Sequence, residues 1–193
     1  MKPKPIQLPS LASLALAVLA TACVSDGGAR PKSGKQGTKM AIQLRSPAFT
    51  GGQSIPAKHT CDAEDLSPPL SWSGVPPSAE SLALICDDPD APLGTWVHWV
   101  LYGLPSTVSE LPEGISTADT VLGGARQGTN DFKRTGYGGP CPPPGKPHRY
   151  FFRLYALDTM IGLEPRATKK ELLQAMERHI LAQGELIGRY WRK

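Results

Sequence analysis

Long hydrophobic runs are scarce in this chain. The apolar stretch Leu11–Ala22 is shorter than the roughly 20 apolar residues that cross a bilayer. There is no sustained basic run and no basic stripe interleaved with aromatics, which excludes nucleic acid as the expected partner. No two cysteines have C-x-x-C spacing, so no thiolate metal site is implied. The nucleophile-elbow pattern G-x-S-x-G is missing, which removes one common class of hydrolase. No internal repeat is visible.

What the chain has in quantity is Gly and Pro, 20 of each among 193 residues. Many of the prolines cluster, as in Pro68-Pro69, Pro76-Pro77 and Pro142-Pro143-Pro144, which favours a loop-rich β protein over a helical one. Hydrophobic residues make up 40% and charged residues 20%, a globular mix for one domain plus extensions.

Lys2 and Lys4, the short apolar core and the small residues that close it read as an export signal over residues 1–22. The formal net charge of +4 falls to +2 when those two lysines are removed. Ala20-Thr21-Ala22-Cys23 resembles a lipoprotein cleavage site, with Cys23 as the lipidated residue. Plain secretion is the alternative, because Ala20 stands where such sites usually have Leu. Residues 23–40 are rich in Gly, Ser and Lys and read as a flexible tether, leaving 41–193 as the folded domain. These readings predict a bacterial envelope protein on the periplasmic or outer side, held to a membrane through its lipid.

Three cysteines fall in the domain, an odd number for an oxidising compartment. Cys86 lies in the apolar run Ser81–Cys86 and reads as a small buried hydrophobe. Cys61 and Cys141 sit in loop-like sequence and are the candidate disulfide pair, with two free thiols as the alternative.

Ala41–Ser46 alternates apolar and polar residues, and Leu70–Ser73, Leu82–Cys86, Trp96–Tyr102 and Tyr150–Leu157 are further strand segments. Punctuated by turns, they predict a mainly β antiparallel sandwich. One helix is predicted. Thr168-Lys169-Lys170-Glu171 fits the capping box, and Leu172, Leu173, Met176, Ile180 and Leu181 recur at helical spacing towards a stop at Gln183-Gly184. His179 then reads as a partly exposed helix residue. Glu185–Trp191 reads as a last strand or an extended tail.

Two segments carry chemistry. In Asp87-Asp88-Pro89-Asp90-Ala91-Pro92, the prolines fix a rigid carboxylate-bearing loop after a buried strand. His98 follows mid-strand, on the same face as Trp96 by the period of two. By spacing alone a core histidine and a pocket wall both remain open. In Gly136–Tyr150, glycines allow close backbone approach, prolines stiffen the loop, and His148 and Tyr150 share the face of the next strand.

Asp88-Pro89-Asp90-Ala91-Pro92 with Trp96-x-His98, and Gly139-x-Cys141-Pro142-Pro143-x-Gly145 with His148-Arg149-Tyr150, resemble the two signature regions of the phosphatidylethanolamine-binding proteins. The bacterial Raf-kinase-inhibitor-like branch is the most similar. Supporting stretches, among them His59-Thr60-Cys61-Asp62, Gly124–Gly128 and Leu186–Tyr190, extend the resemblance over residues 41–193.

The resemblance implies a β-sandwich with a C-terminal helix and a small pocket for phosphate-like anions or phospholipid head groups. Asp88, His98 and His148 match its acidic and imidazole residues, Gly139 its lining loop and Tyr150 its rim. Cys141 stands where the family usually has a second pocket glycine. A charged imidazole beside Asp88 is expected to hold the anion. The resemblance also implies a protein partner under regulation or inhibition, a possible homodimer, and no cofactor. A hydrolase using Asp88, Asp90, His98 and His148, and a purely structural envelope protein, are the competing readings.

Overall fold

The computed structural model describes residues 40–193, and from Ile42 onward their side chains. The leader, Cys23 and the tether lie outside the described residues. In chain order the strands are β1 (Met40–Ala41), β2 (Gln43–Arg45), β3 (Leu70–Ser73), β4 (Ser81–Asp88), β5 (Trp96–Pro105), β6 (Glu110–Leu111), β7 (Thr120–Val121), β8 (Ala125–Thr129), β9 (His148–Leu157), β10 (Arg166–Thr168) and β11 (Ile180–Tyr190). A 3-10 turn spans Ala57–His59, and helix α1 (Lys169–Met176) stands between β10 and β11.

The strands form two sheets. The larger runs β1-β11-β9-β4-β5-β8-β10, with β7 on β8; the smaller runs β2-β3-β6. Pairing is antiparallel except where β1 meets β11 and β10 meets β8. Between the sheets, Leu44, Leu70 and Trp72 from the small one pack against Leu84, Leu101, Phe152 and Leu154 from the large one. The opposite face of the large sheet buries Ala83, Ile85, Val100 and Tyr102 under Leu172 and Met176 of α1. β4 is therefore covered on both sides, which is why Ser81–Cys86 reads as apolar without alternation. Cys86 is buried and free within it.

The mainly β sandwich with one C-terminal helix agrees with the sequence reading, but the helix is shorter. α1 begins at the expected capping box: Thr168 Oγ1 accepts from Glu171 N at 3.3 Å, and Glu171 Oε2 accepts from Thr168 N at 2.7 Å. It stops at Met176, not near Gln183. Ile180 and Leu181 belong to β11, whose alternation of buried Ala182, Gly184, Leu186 and Gly188 with outward Gln183, Glu185, Ile187 and Arg189 is a period of two. Pairing along β9 from Leu157 to His148 satisfies the backbone of this segment better than a last helical turn could. Close packing also favours the strand, since a Cβ on Gly184 would lie 2.3 Å from the Ile42 carbonyl oxygen. His179 stands in the turn before β11, half-exposed, with Nδ1 on Asp158 Oδ1 at 2.7 Å. Ala41–Ser46 is likewise divided, because β1 joins the large sheet and β2 the small one.

Candidate anion pocket

Antiparallel pairing brings the end of β4 and the starts of β5 and β9 together at one end of the large sheet's central strands. Asp88 lies opposite Trp96, and Asp87 opposite Phe151. Pro89 and Pro92 turn the chain away after Asp88. A cavity of about 190 Å³ opens there, walled by Asp88, Trp96, His98, His148 and Tyr150, by Phe132, and by the proline loops at Ala91-Pro92 and Cys141-Pro142-Pro143. That volume suits an ion or a head group rather than a drug-sized molecule, which takes about 300 Å³ or more. A larger open groove of about 670 Å³ runs between Phe49 and Ile187. None of its lining residues carries a buried unpaired donor, so the smaller cavity is the better candidate.

His98 owes its position to a β-bulge. Cys86 pairs with Trp99 and Asp87 with Val97, which leaves His98 as the extra residue. The bulge breaks simple alternation, so Trp99 packs in the sandwich core while Trp96 and His98 still line the cavity. The loop 130–138 locks the bulge in place. Asp131 Oδ2 accepts from Val97 N at 2.7 Å, Gly138 N donates to the His98 carbonyl at 3.0 Å, and His98 Nδ1 donates to the Gly138 carbonyl at 2.5 Å. Phe132 from the same loop stands edge-on to both Trp96 and His98.

His98 is 2% exposed. Burial pushes its imidazole below the ordinary histidine value, and the Gly138 carbonyl and Asp88 only partly offset this. His98 is therefore not the charged imidazole expected beside Asp88, because a buried charge without a carboxylate partner is costly. His148 differs. Its Nδ1 donates to Asp88 Oδ2 at 2.7 Å, while Asp88 Oδ1 accepts from Asp90 N at 2.8 Å. Asp88 is buried and has both oxygens engaged, so it fixes the His148 ring and turns Nε2 away from itself.

Tyr150, expected at the rim, walls the cavity but is 0% exposed, with its ring edge-on to His98 at 5.1 Å between centroids. Burial pushes its phenol well above the ordinary value, so it keeps its hydrogen. The Tyr150 hydroxyl and the Trp96 Nε1 are both buried without a protein partner, although buried donors are nearly always paired. Both belong to residues that wall the cavity.

Gly139 does not line the cavity. Its amide donates to Asp65 Oδ1 at 2.6 Å, and Arg134 Nη2 holds Asp65 Oδ2 at 2.7 Å. Glycine is required there for packing, since a Cβ would come within 2.5 Å of the His59 carbonyl oxygen. Cys141 does line the cavity and is joined by a disulfide to Cys61, Cα to Cα 5.4 Å. Asp90 is not among the residues that line the cavity; both its oxygens are on Arg149, at 2.7 and 2.8 Å, and this pair holds its carboxyl below the ordinary range. Among the described residues, no three His, Cys, Asp or Glu side chains converge as a metal-binding group. Phe132 and Asp65 carried no sequence signal of their own; the Asn130-Asp131 turn beside Phe132 was the nearest one.

The sequence profile of the phosphatidylethanolamine-binding protein family matches residues 45–191. A UPF0098 protein of Methanothermobacter thermautotrophicus is 53% identical over 151 residues, which is 78% of this chain and 99% of that protein. A UPF0098 protein of Aquifex aeolicus is 47% identical over 153 residues, 78% of this chain and 89% of that one. Two crystal structures are similar. CT736 of Chlamydia trachomatis, a phosphatidylethanolamine-binding protein homologue, has a TM-score of 0.73 at 45% identity and covers 80% of this chain and 99% of its own. YbcL of E. coli, a member of the mammalian family, has a TM-score of 0.74 at 35% identity and covers 79% and 99%.

Proposed function

The chain belongs to the phosphatidylethanolamine-binding protein family, and on that premise we propose that it binds small phosphate-like anions in the cavity between Asp88, His98 and His148. The observation that carries this reading is the pair of buried donors without protein partners, Trp96 Nε1–H and Tyr150 O–H, on two residues that wall the cavity. Buried donors left unpaired cost about 1–3 kcal/mol each, and an oxyanion would supply both acceptors. The apolar rings of Phe132, Trp96 and Tyr150 around the cavity strengthen such bonds by lowering the local dielectric.

Binding fits the geometry better than hydrolysis. Asp88 uses its oxygens on His148 and Asp90 N, Asp90 uses its own on Arg149, and Cys141 is bonded to Cys61. No carboxylate is left as a free base at the cavity, and no thiol as a nucleophile.

The reading extends to context. An exported domain, lipid-anchored at Cys23, would take a phospholipid head group or an anionic group of a partner enzyme, and would regulate or inhibit that partner. An unmodified mature N-terminus in mass spectra of exported protein contradicts the anchor. The pocket itself is tested by calorimetry with phosphate and phosphoethanolamine on the wild type and on His148→Ala. Weaker binding in the variant is expected, and equal affinity for both proteins contradicts the assignment.

A further inference from the structure

We infer that the cavity selects oxyanions that bring a hydrogen of their own, hydrogenphosphate above sulfate, and that His98 sets this preference. The inference rests on the anion reading and sharpens it. The Gly138 carbonyl can only accept, so the 2.5 Å contact places a hydrogen on His98 Nδ1. In a neutral ring Nε2 is then a lone-pair acceptor. No described residue donates to it, and the ring forms part of the cavity wall.

The groups around the ring support its neutrality. Asp88 and Asp65 are the carboxylates whose charge reaches it, and each is engaged elsewhere: Asp88 by His148 and Asp90 N, Asp65 by Arg134 and Gly139 N. The other neighbours are the rings of Phe132 and Tyr150 and the Gly138 and Gly139 carbonyls, whose pull towards the charged form is weaker than the cost of burial. With almost no water contact, a charged His98 would lack a compensating partner.

The residues of the wall thus bring two donors without protein partners, Trp96 Nε1–H and Tyr150 O–H, and one acceptor, His98 Nε2. A fully ionised tetrahedral anion satisfies the donors but sets an oxygen lone pair against the Nε2 lone pair. Sulfate is such an anion at neutral pH. Hydrogenphosphate keeps one P–O–H and can donate it to Nε2. A phosphodiester stands with sulfate unless its substituent supplies an N–H or O–H. Sites built to pair a ligand hydrogen reject analogues without one, because the buried group is then left unpaired.

The test is calorimetry of the full chain at neutral pH with sodium phosphate and sodium sulfate at matched ionic strength, on the wild type and on His98→Phe. The expected result is phosphate at least about tenfold tighter than sulfate on the wild type. In His98→Phe that ratio should collapse towards one. Nitrogen-15 NMR of the wild type should show an unprotonated His98 Nε2 that shifts on adding phosphate, a readout that holds even if the variant misfolds. Equal affinity for the two anions, or a protonated Nε2 in the free protein, overturns the inference while leaving the anion reading standing. Binding of neither anion removes both.

Discussion

Cutting the Cys61–Cys141 disulfide should both destabilise the domain and loosen its pocket. The two cysteines are 80 residues apart in sequence. Closing a loop of that size removes chain entropy from the unfolded state worth about 4.5 kcal/mol at 25 °C, and measured values for native disulfides run about 2–5 kcal/mol. The bond also restrains a segment with few other ties. Pro140, Pro142, Pro143 and Pro144 have no N–H, and the backbone contacts that hold the stretch are Cys61 N to the Pro140 carbonyl at 3.1 Å and Gly145 N to the Arg192 carbonyl at 3.2 Å. The perturbation is the Cys61→Ser/Cys141→Ser double variant, with reduced wild type as a second form free of new side chains. Urea unfolding followed by tryptophan fluorescence should give a midpoint drop equivalent to about 2–5 kcal/mol for both. Phosphate affinity should fall with it, since Pro142 and Pro143 wall the cavity. Unchanged unfolding midpoints and unchanged affinity in both forms would show that the disulfide neither stabilises the domain nor shapes the pocket.

Gly139→Ala should cost about 1–3 kcal/mol, because the new methyl would meet the His59 carbonyl and Asp65 Oδ1, each at 2.5 Å; thermal unfolding reads the loss. Asp88→Asn removes the charged acceptor that holds His148 and should cost about 1.5–3 kcal/mol in stability while weakening phosphate binding, both measurable on one sample by thermal shift. His98 and His59 both have folded values lowered by burial from 6.5, so the unfolded chain binds more protons below that pH. The stability they contribute is complete above about pH 6.5 and declines as pH falls from there towards their folded values, by up to about 1.4 kcal/mol per pH unit for each. Unfolding free energies from pH 8 to 5 check the sign, and a profile rising on acidification would contradict it.

The parts legible in the sequence were those set by local pattern. β3 matches its expected range, and β4, β5 and β9 extend theirs by a few residues. The capping box located the start of α1, since Thr168 and Glu171 act on each other alone. Its end was not legible. Leu172 to Leu181 fits a helical period, and only the long-range pairing of β11 with β9 decides that Ile180 and Leu181 are extended. The site shows the same division. Asp88, His98 and His148 were visible as motif residues, and the structure gathers them at one cavity. The bulge that turns His98 into that cavity is a property of sheet register, which no local pattern encodes. Gly139 was expected in the lining loop from the resemblance alone, whereas its close approach is to His59 and Asp65. Tyr150 was on the expected face, but its depth depends on the neighbouring loops that cover it.

The most direct measurement is a crystal structure of the protein grown with millimolar phosphate. Tetrahedral density is expected in the cavity, with oxygens within hydrogen-bond distance of Trp96 Nε1 and the Tyr150 hydroxyl and one oxygen facing His98 Nε2. An ordered phosphate bound elsewhere with this cavity holding only water, or no ordered phosphate at all, would contradict the proposed anion site.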